Sequence, residues 1–233
     1  MRKKKVAPDP FMSLSLASQC DDLGIPLGRI RMEKTEYWWW FAGEKFPKPE
    51  QAAYAYLQSL GFSGTYCEGY GPLTLMKCAC LDLLAKWSTF PDRTDSCTRY
   101  FEAQCMIYAE KSDMIVDAIR AATTESVLAA LEEIQSIPRY QINFPMIQPD
   151  GVRCLWDSLG GEGWANIARA FVSDPYRFRS GWPDLSVSDG KHIKLVEVKT
   201  TDKLHGSQRD TITSLLVPLG FSVSVLQIMK GVR

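Results

Sequence analysis

The chain has 233 residues, with 27 Lys and Arg against 27 Asp and Glu, so its formal net charge is zero; 45% of residues are hydrophobic and 23% charged. That balance excludes collagen-like, coiled-coil and wholly disordered chains, and it excludes a basic field over the whole chain, so any nucleic-acid footprint must be local. The length suits one sizeable domain or two small ones, with a buried core.

The start, Met1-Arg2-Lys3-Lys4-Lys5, is basic, but Val6 to Phe11 holds two prolines and an Asp. No signal peptide and no apolar span of ~20 residues is expected, so a cytoplasmic location is, or delivery into a target cell's cytoplasm. Residues 1–46 read as an irregular N-terminal segment. Within it the run Tyr37-Trp38-Trp39-Trp40-Phe41 is expected to pack onto a core rather than stack on bases.

Residues 47–87 read as helical. Ala53, Tyr56, Leu57 and Leu60 recur at helical spacing over Glu50 to Leu60, and Gly61 ends that helix; a loop with Gly64, Gly69 and Gly71 precedes a second helix from Leu73 to Trp87. Residues 88–150 read as a helical insertion, with Ile115, Ile119, Val127, Leu128, Leu131 and Ile134 periodic over Asp113 to Ile137, and breaks at Pro138, Pro145 and Pro149. The seven cysteines are irregularly spaced without a C-x-x-C pair, which predicts reduced, mostly buried thiols rather than a zinc site.

Residues 151–233 change character. A short helix is expected over Trp164 to Phe171. Strands are expected at Leu185 to Ser188 and Ile193 to Lys199, with Asp189-Gly190 as a hairpin signal. A helix over Ser207 to Leu216, with Ser207 as N-cap, leads into an alternating strand from Phe221, which a crossover makes parallel to the strand before it.

The chemistry concentrates in Gly181-Trp182-Pro183-Asp184 and Glu197-Val198-Lys199. Alternation puts Glu197 and Lys199 on one face of their strand. A two-residue hairpin loop pairs Asp184 with Leu195 and leaves Glu197 a diagonal neighbour ~7–8 Å away, whereas a four-residue loop, Asp189 to His192, pairs Asp184 directly with Glu197. Either register clusters Asp184, Glu197 and Lys199 on one face. Two carboxylates this close repel, and a hard divalent cation, Mg²⁺ or Mn²⁺, relieves that. Such a cation activates water and stabilises charge on a phosphoryl oxygen, with Lys199 orienting the water, helping to deprotonate it, or stabilising the phosphorane-like charge.

Gly181-Trp-Pro-Asp-Leu, then Lys194-Leu-Val-Glu-Val-Lys, then Asp202-Lys-Leu with Gln208, resembles the virus-type replication-repair nuclease (VRR-NUC) domain of the PD-(D/E)xK superfamily. Cys67-Glu68-Gly69-Tyr70 with the apolar helix after it is similar to the upstream segment of the Fanconi-associated nucleases, as is Tyr176 to Arg179. The resemblance covers roughly residues 50–230. It implies an α/β (α+β) fold, a restriction-endonuclease-like core whose mixed β-sheet is flanked by helices, with the 88–150 insertion and a catalytic core over 151–233. It implies Glu68, Asp184, Glu197 and the Val198 carbonyl as metal ligands, Lys199 as the catalytic lysine, and Gln208 as a support or phosphate contact. Thr200-Thr201 stands where the family has Gly-Pro.

Arg177, Arg179, Lys194, Lys203 and Arg209 are expected to neutralise DNA phosphates around the site, without base readout. The resemblance implies branched DNA, flaps or splayed arms, as substrate, and a monomer, because the insertion opposes the pairing of minimal family members. The sequence leaves repair or phage enzyme and antibacterial effector open, the latter with an immunity protein docked on residues 88–150. A non-catalytic DNA-binding or interaction module with a nuclease-like core is the alternative.

Overall fold

The computed structural model describes residues 9–138 and 147–231. The Met1–Lys5 cluster and the Pro145 break lie outside the described residues. The segment read as irregular is ordered structure from Pro10 onward. It contains α1 (Pro10–Ser13), α2 (Leu16–Leu23), β1 (Leu27–Lys34), β2 (Trp39–Phe41) and β3 (Glu44–Phe46). The signal was weak because β1 is largely exposed: only Ile30 and Met32 alternate with Arg29, Arg31 and Glu33, short of the near-continuous apolar run of a buried parallel strand. Trp39 is buried on β2, Trp38 lies beneath the Lys45 ammonium, and Tyr37 is exposed.

α3 (Pro49–Ser59) begins with Pro at a position where its missing N–H costs nothing. The glycine-rich loop after it contains a short strand, β4 (Ser63–Thr65), which the sequence reading missed. The helix expected from Leu73 to Trp87 is two, α4 (Tyr70–Ala79) and α5 (Leu81–Trp87), broken at Cys80. α6 (Thr94–Thr98), α7 (Phe101–Ile107), α8 (Ser112–Ala121) and α9 (Thr124–Gln135) make up the helical region. α8 and α9 divide the single periodic stretch because Thr123 caps the second: its Oγ1 accepts from the Ser126 N–H at 3.2 Å, and Ser126 Oγ accepts from the Thr123 N–H at 3.0 Å.

The short helix expected at Trp164 is the end of α10 (Pro149–Val172), which breaks at Gly160. The hairpin strands are β5 (Leu185–Ser188) and β6 (Ile193–Lys199). α11 (Gly206–Thr211) is capped by His205 rather than Ser207, continues through a wider turn at Ile212–Leu216, and leads into β7 (Ser222–Gly231). All seven strands form one sheet in the order β3-β2-β1-β7-β6-β5-β4. The β1, β7 and β6 strands are parallel, as the crossover predicts, and the outer strands are antiparallel.

Strand alternation sorts the core onto two faces. Leu195 and Val225 join the larger cluster with Leu75, Ile119, Leu131, Leu155 and Phe171. Val196, Val198, Leu185 and Val187 join a smaller one with Ala53 and Leu57 of α3. Each such side chain, fully buried, contributes roughly 1.5–3 kcal/mol. The fold is thus a mixed sheet flanked by helices, with the β5–β6 hairpin held rigidly between two apolar layers. Among the described residues no helix is long and apolar enough to cross a membrane.

Candidate active site

The β5–β6 register runs from Leu185↔Val196 to Ser188↔Ile193, so the turn is the four-residue loop Asp189–His192. Asp189 Oδ1 closes it by accepting from the N–H groups of Lys191 and His192 at 2.9 and 2.8 Å. One step beyond Leu185↔Val196, Asp184 stands opposite Glu197. Alternation keeps Leu195, Glu197 and Lys199 on one face of β6 and turns Lys194, Val196 and Val198 to the other.

Glu197 and Lys199 are buried, with side chains 2% and 4% exposed, and pair at 2.8 Å. Glu197 Oε1 also accepts from Gln208 Nε2, and Gln208 Oε1 in turn accepts from the His205 N–H at 2.9 Å. Gln208 thereby caps α11 and fixes Glu197 at once. Lys199 also reaches Asp202 at 3.2 Å. Burial lowers the lysine's proton affinity, but Glu197 and then Asp202 outweigh it, so Lys199 sits above its ordinary pKa and is an ammonium. That disfavours the expected help with deprotonating water and leaves orientation and charge stabilisation.

Burial raises the Glu197 pKa against the opposing pull of Lys199 and Gln208, with the Glu68 charge adding to the rise. Burial, followed by the Glu197 charge, raises Asp184 well above the ordinary carboxylate range. The Val198 N–H donated to Asp184 Oδ2 at 2.8 Å offsets only part of this. The Glu50 charge, on the first turn of α3, also raises Asp184. Nothing in the sequence reading selected Glu50; an acidic residue behind a proline looks like an ordinary helix start.

Glu68 sits in the β4–α4 loop with φ of 52°, a left-handed conformation uncommon for Glu, and its N–H donates to the Asp184 carbonyl at 3.0 Å. Next to it, a Cβ at Gly69 would lie 2.8 Å from Trp182 Cδ1, so the loop presses directly on the residue two before Asp184. Trp182 is buried and donates Nε1–H to the Phe178 carbonyl at 2.7 Å. The backbone thus ties Glu68 to the hairpin, while its side chain is exposed.

Of the expected phosphate contacts, Arg177 is held by Asp210 at 2.6 Å and Arg209 by Asp9 at 2.7 Å. Arg209 also covers the Phe11 ring, fastening α1 to α11. Lys194 is a correction: it lies on the β6 face opposite Glu197, because a one-residue offset reverses the side chain. Lys203 is exposed, with Nζ 3.5 Å from the Ser13 carbonyl. Arg179 stacks on Tyr176 at 5.2 Å.

The donor chemistry fits a hard divalent cation. Glu197 Oε2 and Glu50 Oε2 are buried with no hydrogen-bond partner, an arrangement that costs free energy unless a cation or a proton compensates it. Among the described residues, no three His, Cys, Asp or Glu side chains already converge as a metal cluster. Glu197 is instead turned toward Lys199 and Gln208.

Residues 119–229 match the family described as the VRR-NUC domain. No curated protein matches the chain. Among solved structures, paFAN1 bound to 5′-flap DNA carrying a gap is similar in fold, with a 2-nucleotide flap (TM-score 0.58) and with a 1-nucleotide flap (TM-score 0.59). Identity is 16% in both, over 93% of this chain and 41% and 42% of those chains, so the chain spans about two fifths of the length of that nuclease. Residues 119–229, a little under half of the chain and including the hairpin that carries Asp184 and Glu197, are thus similar to the VRR-NUC domain, and the seven-stranded sheet belongs to a fold similar to that of paFAN1.

Proposed function

We propose that the chain is a Mg²⁺- or Mn²⁺-dependent nuclease that hydrolyses phosphodiester bonds in branched or splayed DNA. The observation that carries this reading is the convergence of Asp184, Glu197 and Lys199 on one sheet face, with a buried Glu197 oxygen left without a partner. The flap DNA bound by paFAN1 supports a branched substrate.

Asp184, Glu197, the Val198 carbonyl and Glu68 would hold the cation, which supplies activation of water and neutralisation of phosphoryl charge. Glu197 holds the Lys199 ammonium in place, and Lys199 stabilises charge on the non-bridging oxygens of the scissile phosphate. Gln208 keeps Glu197 from rotating away. Hydrolysis joins a water oxygen to phosphorus and breaks one phosphorus–oxygen bond to deoxyribose. Arg179 is the guanidinium beside the site best able to meet a neighbouring phosphate, since Arg177 and Arg209 are engaged by carboxylates.

Purified protein with Mn²⁺ is expected to cut flap and splayed-arm oligonucleotides faster than duplex, and Asp184→Ala to abolish cutting. Equal cleavage by Asp184→Ala sinks the assignment. The lack of a preassembled three-group cluster among the described residues favours a second reading, a DNA-binding module with a nuclease-like core. That reading requires DNA binding unaffected by chelator and no cleavage. Both a repair or phage role and an effector role fit the chemistry. Exposed Met106, Ile107 and Met114 on the helical region support a partner surface there, which an immunity protein would cover. We read the chain as a monomer, which a mass measurement in solution tests.

A further inference from the structure

A cavity of about 370 Å³ opens beside the site, between α4, the Thr98–Glu102 segment that enters α7, and Arg179–Gly181. Glu68 and Gly69 form part of one wall, and Gly181, three residues before Asp184, part of another. The cavity therefore shares walls with the loop that carries Glu68 and with the segment that leads into Asp184. Its size lies in the range that takes a small organic group.

Its lining suits one nucleotide. The rings of Tyr70 and Tyr100 lie 6.3 Å apart with planes tilted by 49°, and both are substantially exposed, 41% and 57%. Aromatic faces accept any base by stacking. Arg179 is in no ion pair among the described residues and lies on the same rim, stacked on Tyr176. Arg99 also lines the cavity, steadied by Asp95 at 2.8 Å. Below them the buried Lys77 ammonium donates to the carbonyls of Cys97 and, at 2.8 Å, Arg99, so the Thr98–Arg99 wall is fixed from within.

We propose that this cavity seats one unpaired nucleotide of the strand being cut, its base on Tyr100 and Tyr70 and its phosphate on Arg179. The inference rests on the nuclease reading and adds a structural requirement: a paired base cannot enter, so the strand must be unpaired beside the cut. It gives the Thr98–Glu102 segment a part in substrate choice that the metal site alone does not supply.

The test uses a flap oligonucleotide with 2-aminopurine at the unpaired position adjoining the junction, bound in chelator. Stacking quenches its fluorescence on binding the wild-type protein. Tyr100→Ala is expected to lose the quenching and about tenfold in affinity, and Tyr100→Phe to keep both. Replacing the 2-aminopurine by an abasic residue costs the wild type about tenfold and costs Tyr100→Ala no more. Arg179→Ala lowers affinity for every sequence alike and reduces the salt slope by about one. Cleavage of the unmodified flap in Mn²⁺ separates the two claims. If the wild type cleaves but the probe stays bright and the abasic flap binds equally well, the cavity assignment is overturned alone. If the wild type neither binds nor cleaves, the nuclease reading fails and takes this one with it.

Discussion

Gly181→Ala is the most informative single change outside the carboxylates, and Gly190→Ala is its control. Both glycines have positive φ, +82° and +89°. An added Cβ at Gly190, in the hairpin turn, meets nothing within 4 Å, so only backbone strain remains, about 1–2 kcal/mol. At Gly181 the same atom would lie 2.2 Å from the Ser207 carbonyl oxygen, 2.5 Å from its carbon and 2.9 Å from Thr211 Oγ1. A backbone carbonyl cannot swing aside as a side-chain tip can. α11 must shift instead, breaking the 2.8 Å bond from Thr211 Oγ1 to the Ser180 carbonyl.

Overpacking of this kind adds roughly 1–3 kcal/mol to the strain, for about 2–5 kcal/mol in all. For a chain of this size 1 kcal/mol lowers the melting temperature by about 2–4 °C. Gly190→Ala is therefore expected to melt about 2–8 °C below wild type, and Gly181→Ala about 4–20 °C below it. The second should also lose cleavage, because the α11 shift carries Gln208 off Glu197. Calorimetry in chelator with flap cleavage in Mn²⁺ reads both effects. Equal melting temperatures for the two variants would refute the close-approach argument.

Three further outcomes follow from the same physics. Burial lowers Lys77 to about 8, so the folded state binds fewer protons than the unfolded between pH 8 and 10.5, and this group's contribution rises with pH through that window by about 3 kcal/mol. The difference between wild type and Lys77→Met in urea should shift in that direction from pH 7 to 10; a flat difference refutes it. Of the seven cysteines only Cys154 is not fully buried, so native protein should expose one fast-reacting thiol to a disulfide reagent, and two or more would contradict the packing. Asp184→Asn keeps an acceptor for the Val198 N–H and removes the cost of burying a carboxyl group, raised to about 8, beside Glu197. In chelator at pH 7 it should raise stability by up to about 4 kcal/mol and abolish stabilisation by Mn²⁺; a lower melting temperature contradicts the burial and repulsion argument.

The hairpin was legible because parity is insensitive to loop length: either turn puts Asp184, Glu197 and Lys199 on one face. The register was not legible, since Asp189-Gly190 suits a two-residue turn and only the Asp189 side chain, capping two N–H groups, closes the longer one. β1 to β3 were hidden because the alternation in β1 is short, Ile30 and Met32 between Arg29, Arg31 and Glu33, because β2 and β3 are three residues each, and because the partner β7 is nearly 200 residues away in sequence. Glu50 was invisible for a different reason. Its meaning depends on α3 pointing its first turn at Asp184, a tertiary fact with no local signature.

The buried pair itself argues for function over packing. Glu197 and Lys199 lie between apolar layers, where replacing an ion pair by apolar side chains of similar volume is often neutral or stabilising by about 1–4 kcal/mol. Stability alone therefore gives no reason to keep charge there. Nor does the pairing explain why one Glu197 oxygen and one Glu50 oxygen are left without donors, or why Glu68 is held at positive φ against the Asp184 backbone. The proposed cation would account for all three features together: it would satisfy the bare oxygens, offset the burial and the Glu197 charge that raise Asp184, and give the strained Glu68 loop something to hold.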